Sequence, residues 1–79
     1  MRILDDDASK KVDHVTILLT RDEAEELRDA LTNVLTDPEY DHDHVISEDY
    51  QKEIIVAIYD VANLSSFNER CQRLILKDE

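Results

Sequence analysis

The chain has no glycine, one cysteine, one proline and only nine basic residues among its 79. Without glycine it has neither the glycine-rich loop that cradles nucleotide phosphates nor the usual strand-to-helix nucleophile elbow, because both need backbone close approaches that a Cβ obstructs. The single Cys71 has no intramolecular disulfide partner, which fits a reducing compartment better than a secreted, stapled scaffold. Nucleic-acid affinity is built largely from Lys and Arg neutralising phosphates, and anionic membranes recruit polybasic segments. Here Lys10, Lys11, Lys52 and Lys77 are scattered, so direct nucleic-acid and membrane binding are both disfavoured. The opening Met1-Arg2-Ile3-Leu4 runs straight into Asp5-Asp6-Asp7 and lacks the apolar segment of a signal peptide. The longest apolar run, Ile54 to Tyr59, is far too short to span a bilayer. A cytoplasmic protein is expected.

What the chain has in abundance is acid: 20 Asp and Glu, for a formal charge of −11. Such a surface favours a basic protein as partner, although net charge also serves solubility alone. Seventy-nine residues make a single domain near the size where one core becomes marginal, with residues 1–11 either flexible or forming a short edge strand.

Residues 12–20 place Val15, Ile17 and Leu19 on one face with β-branched residues throughout, the pattern of a strand. Thr20-Arg21-Asp22-Glu23 reads as a capping box, with Leu19 and Ala24 at the staple positions. After it, Ala24, Leu27, Ala30, Leu31, Val34 and Leu35 form the stripe of an amphipathic helix that ends at Asp37-Pro38. A short strand is expected over 44–47, a type I turn over 48–52, and a longer strand over 53–59. That last strand is apolar on both faces, as a central strand would be. A second helix is expected after a cap at Ser66-Phe67-Asn68-Glu69, with a strand over 73–76 as the competing reading. The simplest architecture is an α+β two-layer βαββα sandwich: a three-stranded antiparallel sheet in order 1-3-2 with two helices on one side. It leaves the face bearing Ile55, Ala57 and Tyr59 uncovered, and such a patch marks an interface.

No catalytic residue can be assigned, since 20 acids offer carboxylate pairs at will and Cys71 falls at an apolar helix position. The densest polar cluster is Asp41-His42-Asp43-His44, where His42 and His44 share a face at a spacing suited to a transition metal, with His14 as a third candidate. The ordinary alternative is an edge strand whose charges discourage pairing, and no metal or other cofactor is assigned. Tyr40 and Tyr50 flank an acidic stretch holding Asp37, Glu39, Asp41, Asp43, Glu48 and Asp49, aromatic anchors within a charged rim. The leading expectation is a non-enzymatic acidic binding protein that docks on a basic protein and inhibits it, in the manner of small bacterial or phage immunity, antitoxin or anti-defence proteins. The alternatives are a homodimeric accessory protein using the uncovered sheet face and a His/Asp metal-binding module.

Overall fold

The computed structural model describes all 79 residues, an α+β chain with two helices and two separate two-stranded antiparallel sheets. It divides into two compact units, residues 18–58 and residues 1–17 with 59–79. No helix is long and apolar enough to cross a membrane.

In the 18–58 unit, helix α1 (Arg21–Thr36) leads into the hairpin of β3 (Asp43–Ile46) and β4 (Glu53–Val56). The helix starts where the capping box requires. Thr20 Oγ1 accepts from the Glu23 amide at 3.2 Å while Glu23 Oε1 accepts from the Thr20 amide at 2.9 Å. It stops at Asp37, whose extended backbone (φ −110°, ψ 113°) is what the following proline imposes. Ala30 of α1 and Val45 of β3 are each 3% exposed and form the centre of this unit, with Leu27, Val34, Ile54 and Val56 half-buried around them. The helix lies chiefly over β3 and is antiparallel to it. At one end Asn33 Nδ2 donates to Asp43 Oδ2 (2.9 Å); at the other, the Glu48 amide donates to Glu23 Oε2 (2.8 Å).

In the other unit, β1 (Leu4–Asp5) pairs with β2 (Lys10–Lys11), and helix α2 (Glu69–Lys77) follows a single 3-10 turn at Leu64–Ser66. The hairpin turns through Asp5, whose Oδ1 accepts from the Asp7 and Ala8 amides at 3.1 Å, and through Ser9 at φ 55°. Arg70 of α2 grips that strained residue by donating to Ser9 Oγ at 2.9 Å and to its carbonyl at 3.1 Å. Arg2 donates from Nε to Leu74 O (2.9 Å) and from Nη2 to Ile75 O (3.3 Å), placing a cation on the carbonyls at the negative end of α2. Leu74 is the buried residue of this unit.

The expected three-stranded sheet in order 1-3-2 is overturned. Residues 14–20 carry no secondary structure, and the strands form two local hairpins instead of one sheet. Each hairpin closes over only a few residues, whereas joining 12–20 to 53–59 closes a loop of more than thirty and orders more chain for each hydrogen bond gained. The β4 ladder also ends at Val56, short of the expected Tyr59. The second helix is present, but its N-cap is Asn68, whose Oδ1 accepts from the Cys71 amide at 2.8 Å. Ser65 and Ser66 belong to the preceding 3-10 turn.

Candidate functional site

The acidity is unevenly divided. Residues 18–58 hold twelve acids against three bases, a net −9, while the other unit holds eight against six, a net −2. Within the 18–58 unit, three of the twelve carboxylates are committed to the fold. Glu23 is buried and accepts from the Thr20 and Glu48 amides, which hold its carboxyl below the ordinary value of 4.5 against an opposing desolvation effect. Asp43 is lowered by the Asn33 side-chain amide and the His44 amide. Asp49 is lowered by the Ser47 hydroxyl, at 2.6 Å, and the Gln51 amide, at 3.0 Å.

Apart from Glu48 in the β3–β4 connection and Glu53 on β4, the remaining acids fall into two groups. On α1, Asp22, Glu25, Glu26 and Asp29 form the face turned from the hairpin core, and Asp22, in the first turn, complements the helix dipole. At the other end of α1 the dipole argument reverses. Its last turn holds no basic residue, and the chain continues through Asp37, Glu39 and Asp41. Asp37 closes a turn there by accepting from the Glu39 amide on its side chain and from the Tyr40 amide on its carbonyl, which leaves Tyr40 exposed beside the acids.

Tyr50 is presented differently. It sits on the β3–β4 connection at φ 60°, left-handed backbone normally given to glycine, and its side chain is 83% exposed. The turn around it is tightly held. Ser47 O accepts from the Tyr50 amide, Ser47 Oγ accepts from the Gln51 and Lys52 amides, and Asp49 Oδ1 accepts from Gln51. A hydrogen-bonded frame thus forces a bulky aromatic into a strained position where it buries almost nothing.

The structure separates the sites that sequence spacing grouped. Asp37, Glu39, Tyr40 and Asp41 stand at the C-terminal end of α1, and Glu48, Asp49 and Tyr50 at its N-terminal end, about 24 Å apart for a helix of 16 residues. Asp43, the first residue of β3, stands at the C-terminal end as well, where Asn33 donates to it. Ile55 and Ala57 are exposed in the 18–58 unit, while Tyr59 belongs to the other. His42 and His44 do come together, ring centroids 4.9 Å apart edge to face, but each Nδ1 already faces a carboxylate: Asp41 at 2.7 Å and Glu53 at 3.0 Å. No three His, Cys, Asp or Glu side chains converge as metal ligands, and His14 lies in the other unit. The structural roles of Glu23 and Asn33 were not read from the sequence. Glu23 was visible only as a capping-box partner, and its second bond, 25 residues away, leaves no local signal.

No protein-family model matches the chain, and neither a curated protein nor a solved structure is detectably similar to it.

Proposed function

We propose that the 18–58 unit is an acidic docking module that binds a basic protein and occludes it, without chemistry of its own. The observation that carries this reading is the acid at the C-terminal end of α1. Asp37, Glu39 and Asp41 crowd the negative pole of a helix whose last turn has no cation, an arrangement that works against folding. Asp37 has a local return in the Glu39 amide it accepts from and Asp41 in the His42 ring, but neither offsets a third acid, Glu39, at the same pole, and residues that break a local rule are where function is to be sought. The strained Tyr50 at the other end obeys the same logic, and the exposed acids of α1 run between the two. Tyrosine supplies contact area at low entropic cost, and the acids steer association.

The test is association with a graded set of Lys- and Arg-rich peptides and a small basic protein, using the neutralised variant Glu25→Gln, Glu26→Gln, Glu39→Gln, Asp41→Asn. These four side chains are exposed and outside the hydrogen-bond frame of Glu23, Asp43 and Asp49. The on-rate should fall steeply with salt for the wild type and weakly for the variant. Equal on-rates for the two proteins at low salt refute the reading.

A further inference from the structure

Strand β4 has one neighbour and the composition of a strand with two. Ile54, Ile55, Val56 and Ala57 are apolar on both faces, yet the sheet ends at β4. Ser47 N donates to Lys52 O, so those two residues form a hydrogen-bonded pair; by alternation Val45 pairs in this way with Ile54, and Asp43 with Val56. The amides and carbonyls of Glu53 and Ile55 therefore point outward, to an edge without a strand. The outer edge of β3 is guarded by comparison, because Asp43 Oδ1 accepts from the His44 amide at 2.8 Å.

The helix adds to the open side. On α1, Asn33 turns toward the outer edge of β3, and the hand of the helix then puts Ala24, Leu31 and Leu35 on the β4 side. Leu31 is 43% and Leu35 72% exposed, and Ile55 on the strand is 48% exposed. Charge follows the same division. Arg21 and Arg28 flank the Ala24 end of this stripe, lining a shallow depression with Leu19, Thr20 and Glu25, and Lys52 precedes β4; these three bases are all the unit has. Of the acids of α1, Glu25 borders the same depression and Asp29 accepts from Arg28 Nε at 3.1 Å, while Asp22 and Glu26 lie further round the helix, away from β4.

We infer that a second copy of this chain occupies the β4 edge, the two β4 strands pairing antiparallel about a twofold axis at Ile55 to make one four-stranded sheet. In that register Ile55 exchanges both hydrogen bonds with its own copy, and Glu53 faces Ala57, so the single acid of the strand meets no like charge. Three inter-strand steps of about 4.8 Å set the two β3 strands about 14 Å apart. A helix with its side chains is roughly 10–12 Å across, so the two Leu31/Leu35 stripes meet above the paired strands. A large aliphatic side chain removes roughly 60–120 Å² from water on burial. Leu31, Leu35, Ile55 and their half-buried neighbours thus supply about 250–300 Å² of apolar surface per copy. At an apolar share near 60%, the whole interface comes to about 1,000 Å², the lower bound for a specific contact. The dimer is therefore weak, with a dissociation constant on the order of 10 µM or above.

Sedimentation of the full chain from ~1 µM to ~1 mM tests this. The mass should rise from 9.2 kDa toward twice that value. It should rise more readily at high salt, because screening relieves repulsion between two chains of −11 each. Ile55→Lys and Leu35→Glu, each folded by circular dichroism, should stay monomeric throughout. Amide exchange should slow with concentration at Glu53, Ile55 and Ala57 and stay unchanged at Ile46. A wild type monomeric at ~1 mM, or a dimer surviving both substitutions, overturns the inference. Concentration-dependent protection at Val15 and Ile17 would assign the edge to the 14–19 segment of another copy and overturn it too. The failure of acidic docking is separately visible, since that interaction weakens with salt and does not involve Leu35.

Discussion

Replacing Tyr50 by glycine should make the protein more stable. Its backbone stands at φ 60°, where a side chain's Cβ crowds the following carbonyl at a cost of about 1–2 kcal/mol. Glycine removes that cost but adds about 0.5–1 kcal/mol of unfolded-chain entropy. The ring is 83% exposed, so little burial is lost. The balance is a gain of about 0.5–1 kcal/mol, read as a higher urea midpoint at unchanged m-value. In a domain of this size that corresponds to a rise in Tm of roughly 2–8 °C. Tyr50→Asn should gain a similar amount, because asparagine tolerates left-handed backbone with less entropy to lose. Tyr50→Ala is the control. It removes the ring but keeps the Cβ, and should leave stability within about 0.5 kcal/mol of wild type. All three variants should bind basic peptides more weakly. A glycine variant less stable than the alanine variant would refute the strain argument, and unchanged binding in all three would remove Tyr50 from the docking surface.

Acid should unfold the 18–58 unit through Glu23, Asp43 and Asp49. Their folded-state values lie below the ordinary 4.5 and 3.8, so the stability each gives is present above its ordinary value and lost as pH falls through the lower folded one; urea titrations between pH 5 and 2 should show Glu23→Gln flattening that slope. Val45→Ala should cost about 2 kcal/mol in urea unfolding, because two methyl groups leave a site 3% exposed. Arg2→Ala should cost about 1 kcal/mol and speed amide exchange at Asp78, whose N–H donates to Leu74 O at the helix end that Arg2 caps.

Local signals in this sequence were legible and non-local ones were not. The α1 capping box, the stop at Asp37-Pro38, the β3–β4 hairpin and a second helix all follow from residues within a few positions of one another. The strand pattern of 12–20 is as regular as that of β4, but alternation states only that a segment suits a pleated surface, not that a neighbour is supplied. Asn68 displaced Ser66 as the cap of α2 because both are good N-cap residues two positions apart, and the side chain that reaches the Cys71 amide decides between them. Among the acids, composition hid the difference between Glu23, Asp43 and Asp49, which hold the fold, and Glu25, Glu39 or Asp41, which do not.

The two proposals together give one small unit two surfaces. The acids that hold the fold accept hydrogen bonds from amides, so they are satisfied whatever the salt concentration. Seven of the nine left over sit on the outward face of α1 and at its negative end, with Glu48 in the β3–β4 turn and Glu53 on β4, whereas the bases and the Leu31/Leu35 stripe sit toward β4. Pairing through β4 would leave both acidic faces outward on opposite flanks of the sheet, and a basic partner bound to one would not reach the other. Two docking sites of equal strength per dimer are then expected, each weakened by salt while the dimer between them is strengthened. Titrating a dimer at ~1 mM with a basic peptide should give one peptide per chain; one peptide per dimer would mean that the acidic faces converge on a shared site, which the twofold axis at Ile55 does not allow.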